Sequence, residues 1–394
     1  MHFAHRTDWE LRPSRLSQAI EEHRRSGKEL LDLTASNPPD ANLNYDRDAI
    51  LSAFQNPGML NYLPEAKGGL CARRAVAEYY ASVGQSLAAE NAGGEVDPEQ
   101  VVLTTSTSEA YTYTFRLLCD PGDEVLIPTP SYPLFEYLAG IHDVQLRPYP
   151  LLYDHGWQID FHVLRQRIGP RTRAIMLVNP NNPTGSYASA EETAELNAIC
   201  KEHGLALIVD EVFLDYSLAG AKPSFAFNRE ALTFTLSGLS KISGLPQMKL
   251  AWMVVSGPEK LAAAAMGRLE VIADTYLSMS APVQLAAPVL LRQRESIQGQ
   301  LATRVRANLA ELDRQIQRGM VSRLEVEGGW YAVLRVPRVR SDEQFVMSLL
   351  QTTGVLVQPG FFYDFPGEGY VVVSLITPEQ TFEEAMRRLI KFVH

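Results

Sequence analysis

Four polar segments in the first two thirds of the chain combine residue types that could bind and activate a small molecule. They are residues 105–108 (TSTS), 179–185 (NPNNPTG), 210–211 (DE) and 237–241 (SGLSK). Hydroxyl groups and free backbone N–H groups at the start of a helix suit a phosphate. Asp210, if buried, needs a cation such as a protonated pyridine nitrogen. Lys241, held among small residues, can lose its solvation, which lowers its pKa and makes its amine a nucleophile towards a carbonyl.

Each of these segments also has an ordinary structural explanation when it is taken alone. Serine and threonine cap many helices, and a segment rich in Asn and Pro can be a simple tight loop. An acid can form a structural salt bridge, and a lysine most often lies on the surface. The four together are more informative, because each follows an apolar run at a point where a strand would end. Ligands bind beyond the carboxyl ends of the strands in open α/β sheets, so the pattern predicts one shared site.

Six short apolar runs predict strands that are covered on both faces, because the runs are continuous and do not alternate with polar residues. They lie at residues 101–104, 124–128, 174–178, 206–209, 233–236 and 251–255. Helical patterns lie between them, at residues 108–118 and 189–203. The second begins with Ser189 and Glu192 at the spacing of a capping box and stops before Gly204. The alternation predicts an α/β fold with a mostly parallel sheet.

The pattern changes after Pro282. A long helical stretch is predicted at residues 284–318, followed by strands at 330–336, 354–357 and 370–375 and a final helix at 378–393. We therefore expect a large domain at residues 46–283 and a smaller α+β domain at residues 284–394. The N-terminal arm, residues 1–45, is expected to pack with the smaller domain.

The composition argues against several classes of function. The 394 residues carry 36 basic and 46 acidic side chains, a formal net charge of -10, whereas a nucleic-acid or anionic membrane surface needs a basic patch. The three cysteines, Cys71, Cys119 and Cys200, are far apart and suggest neither a disulfide framework nor a metal site. No apolar run has the length of a signal peptide or a membrane span. We therefore expect a cytoplasmic protein.

Three motifs, in this order and at these separations, resemble those of the fold-type I pyridoxal-phosphate enzymes, specifically the class I/II aminotransferases. They are residues 179–185 (NPNNPTG), 210–213 (DEVF) and 240–249 (SKISGLPQMK), with supporting matches at 130–133 (PSYP), 62–68 followed by Arg73, and 359–360. The resemblance covers most of the chain. It implies a mostly parallel seven-stranded sheet in the large domain, pyridoxal 5'-phosphate as the cofactor, and a homodimer.

The resemblance also implies roles for individual residues. Lys241 corresponds to the lysine that holds the cofactor as a Schiff base and later moves a proton. Asp210 corresponds to the acid that pairs with the pyridinium nitrogen, Asn182 to the amide that hydrogen-bonds the phenolic oxygen, and Tyr132 to the ring that stacks on the cofactor. Of these, Lys241, Asp210 and Tyr132 are the expected catalytic residues. The phosphate contacts fall on Ser106, Thr107, Ser240 and Lys249, and on Tyr62, which would reach the phosphate from the partner subunit.

Four positions depart from the family pattern. Lys249 stands where the family usually has an arginine, and a lysine pairs with phosphate only as a point charge. Gly238 replaces a frequent phosphate-binding serine, and Phe213 replaces a tyrosine whose hydroxyl meets the phenolic oxygen. Val372 stands where an arginine usually binds the substrate α-carboxylate through two hydrogen bonds. Either another cation reaches the site, or the carboxylate is bound differently, or the substrate lacks one there.

We therefore predict a pyridoxal-phosphate-dependent aminotransferase that moves an amino group between an amino acid or amine and a keto acid, with no metal, nucleic-acid or membrane partner. Arg335, Arg338 and Arg340 are candidates for the missing carboxylate contact. One alternative is another enzyme on the same scaffold, such as a lyase, a decarboxylase or a cyclising enzyme, because the protein decides the fate of the carbanion. A non-catalytic cofactor-binding sensor is a remote alternative.

Overall fold

The central element of the fold is an eight-stranded sheet, seen in a computed structural model that describes residues 2–86, 94–317 and 319–394. The strands are β1 (Leu31–Asp32), β2 (Val101–Thr104), β3 (Glu124–Thr129), β4 (Gln145–Tyr153), β5 (Trp157–Ile159), β6 (Thr172–Val178), β7 (Ala206–Asp210), β8 (Thr233–Gly238), β9 (Ala251–Ser256), β10 (Ser322–Arg323), β11 (Tyr331–Arg335), β12 (Val355–Leu356), β13 (Gln358–Pro359) and β14 (Tyr370–Ser374). The α-helices are α1 (Arg15–Arg25), α2 (Arg47–Ser52), α3 (Leu70–Ser86), α4 (Thr107–Leu118), α5 (Phe135–Gly140), α6 (Phe161–Arg167), α7 (Ala190–His203), α8 (Leu239–Ile242), α9 (Glu259–Tyr276), α10 (Ala281–Arg292), α11 (Arg294–Ile316), α12 (Asp342–Thr353) and α13 (Glu379–Val393).

The large sheet has the strand order β2-β9-β8-β7-β6-β3-β4-β5. The five strands from β8 to β4 in this order are parallel to one another, and β9 runs antiparallel to both β2 and β8. Every residue of β2, β7, β8 and β9 is buried, because helices cover both faces of the sheet. All six strands that the apolar runs predict are present, and the carboxyl ends of β6, β7 and β8 lie side by side.

The predicted count of seven strands is wrong, because the sheet has eight. At one edge of the sheet, Leu151–Tyr153 at the end of β4 form an antiparallel hairpin with β5. Pro148 and Pro150 interrupt the apolar pattern of β4. A proline has no N–H to donate, so it is found in strands at or near a sheet edge, which is where β4 and β5 lie.

The helix α7 shows why the capping pattern is informative. The Ser189 side chain accepts a hydrogen bond from the Glu192 backbone, and the Glu192 side chain accepts one from the Ser189 backbone, so the predicted capping box is confirmed. Gly204 ends the helix in the left-handed region, with φ of 65°.

A second, four-stranded sheet lies in the C-terminal part of the chain, with antiparallel order β10-β11-β14-β13. The long helical stretch predicted for residues 284–318 is present but consists of two helices, α10 and α11, which meet at Gln293. Gln293 keeps right-handed helical angles, φ of -60° and ψ of -18°, so the apolar periodicity continues across the break. Residue 318 lies outside the described residues.

The N-terminal segment joins the C-terminal part of the chain. β1 pairs in parallel with β12, and α1 packs against α12. This pairing agrees with an arm that packs on the smaller domain. The boundaries that divide the chain into residues 1–45, 46–283 and 284–394 stay a prediction.

Two general features follow from the elements that are described. Within residues 2–86, 94–317 and 319–394, no helix combines the length and the apolar character that a membrane span needs, and no group of His, Cys, Asp and Glu is placed to hold a metal ion. Cys71, Cys119 and Cys200 are free cysteines.

Candidate active site

A cavity of about 400 Å³ lies at the carboxyl ends of β7 and β8, beside the first turn of α4. A volume of this size suits a small molecule. Seven of the nine predicted cofactor-binding residues line it: Ser106, Thr107, Tyr132, Asn182, Asp210, Ser240 and Lys241. The strand-end segments therefore do share one site, as their positions in the sequence predict.

Lys241 projects from the short helix α8, directly after β8. Its Nζ donates a hydrogen bond to the Ser36 carbonyl oxygen at 2.6 Å and lies 3.5 Å from Asn37 Oδ1. Burial lowers the pKa of Lys241 from 10.5 to about 8, while the negative charges of Asp210 and Asp40 act in the opposite direction. More of the amine is therefore uncharged near neutral pH than in an exposed lysine, and the uncharged form is the nucleophile.

Asp210 is the last residue of β7 and is 7% exposed. Its Oδ2 accepts a hydrogen bond from the Tyr111 hydroxyl at 2.9 Å, and its Oδ1 accepts one from the Val212 backbone at 3.1 Å. Burial raises the pKa of Asp210 to about 6, and these hydrogen bonds and the Lys241 charge limit the rise. A cation brought against this carboxylate would stabilise its charged form.

A hydrogen-bond network joins the loop that carries Tyr132 to the loop that carries Asn182. Asn181 Nδ2 donates to the Pro130 carbonyl oxygen at 3.0 Å, and the Ser131 hydroxyl donates to Asn181 Oδ1 at 3.2 Å. The neighbouring residues, Tyr132 and Asn182, both line the cavity. Asn182 Oδ1 is buried, and no other described residue offers it a hydrogen bond. A buried oxygen without a partner needs an explanation, and a ligand in the cavity would supply one.

The first turn of α4 forms the end of the cavity that suits an anion. Ser106 is the N-cap, and its Oγ accepts from the Glu109 backbone at 3.2 Å, while Thr107 begins the helix. The positive end of the helix dipole favours a phosphate here. Gly238 also lines the cavity, and an added Cβ there would stand 2.8 Å from the Cβ of Ala251. Close packing against β9 therefore explains why this chain has glycine, not serine, at position 238.

Two of the predicted phosphate contacts do not line the cavity. Lys249 is exposed and has a left-handed backbone, with φ of 52°. Tyr62 is 79% exposed and lies away from the cavity. The roles of both residues stay predictions, and that of Tyr62 involves a second subunit.

The three arginines considered for carboxylate binding lie elsewhere. Each guanidinium is placed over an aromatic ring outside the cavity: Arg335 over Tyr153 at 5.3 Å, Arg338 over Tyr370 at 5.7 Å and Arg340 over Phe392 at 5.5 Å. Among the described residues, Lys241 is the only lysine or arginine that lines the cavity.

Sequence reasoning did not find Ser36, Asn37, Tyr111 or Tyr331, although all except Tyr111 line the cavity and Tyr111 holds Asp210. Ser36 is 205 positions from the lysine that it contacts, and no local signal marks it. Tyr111 could have been predicted to lie near the strand ends, because it lies on the face of α4 that must pack on the sheet.

The groups in the cavity fit pyridoxal phosphate. The amine of Lys241 can bond to its aldehyde carbon, and the carboxylate of Asp210 can face its ring nitrogen. Asn182 has an unpaired buried oxygen, and the start of α4 provides a place for the phosphate. Tyr132 offers a half-exposed ring for stacking.

Comparison with known proteins gives the same picture. A family model described as aminotransferase class I and II matches residues 28–389. The glutamate-pyruvate aminotransferase AlaA of Escherichia coli K12 is 25% identical over 378 residues, which are 93% of this chain and 91% of that protein. An alanine aminotransferase of Mycobacterium bovis is 28% identical over 347 residues, 84% of this chain and 77% of that protein. A crystal structure of an aminotransferase from Escherichia coli shares the fold, with a TM-score of 0.85, 24% identity, and coverage of 100% of this chain and 98% of that one.

Proposed function

The chain belongs to the aminotransferases of class I and II, and we propose that Lys241, Asp210, Asn182 and Tyr132 form the active site of this pyridoxal-phosphate-dependent enzyme. One observation carries the residue assignment. The cavity combines a lysine whose pKa burial lowers to about 8, a buried carboxylate and a buried amide oxygen without a partner. The reaction is the transfer of an amino group from an amino acid or amine to a carbonyl acceptor.

The cofactor, when bound, supplies an aldehyde carbon for covalent attachment and a ring that spreads negative charge from the substrate carbon. Lys241 has an uncharged amine to bond to that carbon. Once a substrate amine had displaced it, the Lys241 amine would be free to take a proton from the substrate carbon and deliver it to the former aldehyde carbon of the cofactor. The lowered pKa suits both tasks, because the amine can gain and lose a proton near neutral pH.

Asp210 would hold a proton on the ring nitrogen of the bound cofactor by remaining negative beside it. Tyr111 positions this carboxylate from α4, through the hydrogen bond of 2.9 Å. Ser106, Thr107 and Ser240 would hold the phosphate through hydroxyl and backbone N–H groups. Lys249 would contribute a charge at longer range.

We also propose that the enzyme is a homodimer in the cytoplasm. Three neighbouring residues, Leu60, Tyr62 and Leu63, are 88%, 79% and 76% exposed, which is unusual for apolar side chains so close together. A second copy would cover them and place Tyr62 near the partner subunit's phosphate site. Three unpaired cysteines suit a reducing compartment.

The test is a product assay with the cofactor-loaded protein. A panel of amino acids and amines is added with a carbonyl acceptor, and the aminated acceptor is measured. We expect stoichiometric exchange in the wild type and none in Lys241→Ala. Release of ammonia or carbon dioxide in place of exchange would show a lyase or a decarboxylase, and the assignment of aminotransfer to this site would be wrong.

A further inference from the structure

The charges that line the cavity leave a substrate carboxylate without a partner. Among the described residues, the lining contains one cation, Lys241, and one anion, Asp210. In the proposed function Asp210 is paired with the cofactor, and Lys241 is either bonded to the cofactor or acts as an uncharged base. Asp40 adds negative charge near Lys241, since it raises the pKa of that amine. A carboxylate placed in this cavity would find no free cation in the lining of its own subunit and would be partly desolvated.

The end of the smaller sheet that meets the cavity forms one wall and carries no charge, since Arg335, further along the same face, lies over the Tyr153 ring outside the cavity. Tyr331 lines the cavity, and its cross-strand partner is Ser374. Val333 and Val372 form the next such pair on the same face, and Gln358 pairs with Val372 from the other side. Directly opposed residues share one face of a sheet, so position 372 belongs to the face that carries Tyr331. Val372 is 1% exposed and packs in the apolar core.

The polar groups on this wall are neutral donors or are already paired. Burial raises the pKa of Tyr331 to about 12, so its hydroxyl stays protonated. The side-chain oxygen of Gln358 accepts a hydrogen bond from the Tyr363 hydroxyl. A single neutral donor offsets less of the desolvation cost of a buried carboxylate than a cation would.

We propose that the amino substrate presents an uncharged group to this wall, so that the enzyme prefers primary amines to the α-amino acids with the same side chain. The inference rests on the proposed function. The overall exchange balances without an outside oxidant: the C–N bond of the amine is replaced by a C=O bond, and the C=O bond of the acceptor by a C–N bond. The donor carbon loses the two electrons that the acceptor carbon gains.

Matched pairs of compounds test the preference in the cofactor-loaded wild type. The pairs are ethylamine and L-alanine, 3-methylbutylamine and L-leucine, and 2-phenylethylamine and L-phenylalanine, which differ only in the α-carboxylate. Dissociation constants come from the change in cofactor absorbance, without an acceptor. We expect each amine to bind at least about tenfold more tightly than its amino acid. Equal or tighter binding of the amino acids would overturn the inference. If no compound changed the spectrum, the proposed function itself would fail.

A pair of variants tests the cause. Val372→Arg introduces a cation on the sheet face that carries Tyr331 and is expected to shift the preference towards amino acids by roughly tenfold to a hundredfold. Val372→Met has a long, uncharged side chain and is the control, which should leave the preference unchanged. A similar shift in both variants would show that size, not charge, sets the preference. The wild-type measurement decides the proposal even if the buried arginine prevents folding.

Discussion

Replacing Lys241 with methionine is expected to abolish activity and yet stabilise the cofactor-free protein. The cause is the desolvation of the charged amine, which lowers its pKa from 10.5 to about 8. A difference of 10.5 - 8 = 2.5 units corresponds to about 3 kcal/mol, at 1.36 kcal/mol per unit. Methionine has a similar length and no charge, so it removes this cost.

The effect has a defined pH dependence. Between about pH 8 and pH 10.5 the unfolded chain binds more protons at this lysine than the folded chain does, so the wild-type free energy of unfolding rises with pH there. Below about pH 8 the buried charge of Lys241 destabilises the folded chain by its full amount. Methionine also loses the hydrogen bond to the Ser36 carbonyl oxygen, which is worth about 1 kcal/mol. The net gain is therefore about 2 kcal/mol at about pH 7 and close to zero at about pH 10.

Urea unfolding of the cofactor-free proteins measures this difference at the two pH values. Lys260→Met is the matched control, because Lys260 is exposed on α9, and a surface substitution changes stability by no more than about 0.5 kcal/mol. A gain in Lys241→Met that is the same at both pH values, or that Lys260→Met reproduces, would refute the argument that burial of this charge is the cause.

Three further predictions concern single contacts. Asp210→Asn removes the charge proposed to face the ring nitrogen and should lower kcat by on the order of 10- to 100-fold; an unchanged kcat would contradict the role. Tyr111→Phe removes a donor that favours the ionised carboxylate, so the pKa of Asp210 should rise above about 6 and the acid limb of the pH profile of kcat/KM should move to higher pH. An unmoved limb would count against this positioning. Ser189→Ala removes the N-cap of α7 and should lower the free energy of urea unfolding by about 1 kcal/mol, with no effect on KM; unchanged stability would show that the cap contributes nothing.

The parts of the fold and site that the sequence predicts share a local cause. The central strands are continuous apolar runs because helices cover both faces, and the residues at their carboxyl ends are polar because a cavity lies there. Asp210 and Lys241 follow directly from that rule. The capping box of α7 is equally local, since both partners lie within four residues.

The parts that the sequence does not predict depend on contacts between distant segments or on the absence of a signal. The contact of Lys241 with Ser36 joins residues 205 positions apart. The hairpin of β4 and β5 is concealed by Pro148 and Pro150, which fit there because the hairpin is at the sheet edge. The break at Gln293 preserves helical angles, so no change in periodicity marks it.

The most direct test of the central claim is to identify the residue that bonds to the cofactor. The wild-type protein is loaded with pyridoxal phosphate and reduced with borohydride, and its peptides are sequenced by mass spectrometry. We predict a stable pyridoxyl adduct on Lys241 at about one per chain, loss of the holoprotein absorbance band on reduction, and neither signal in Lys241→Ala. An adduct on another lysine, or a full adduct yield in Lys241→Ala, would contradict the account.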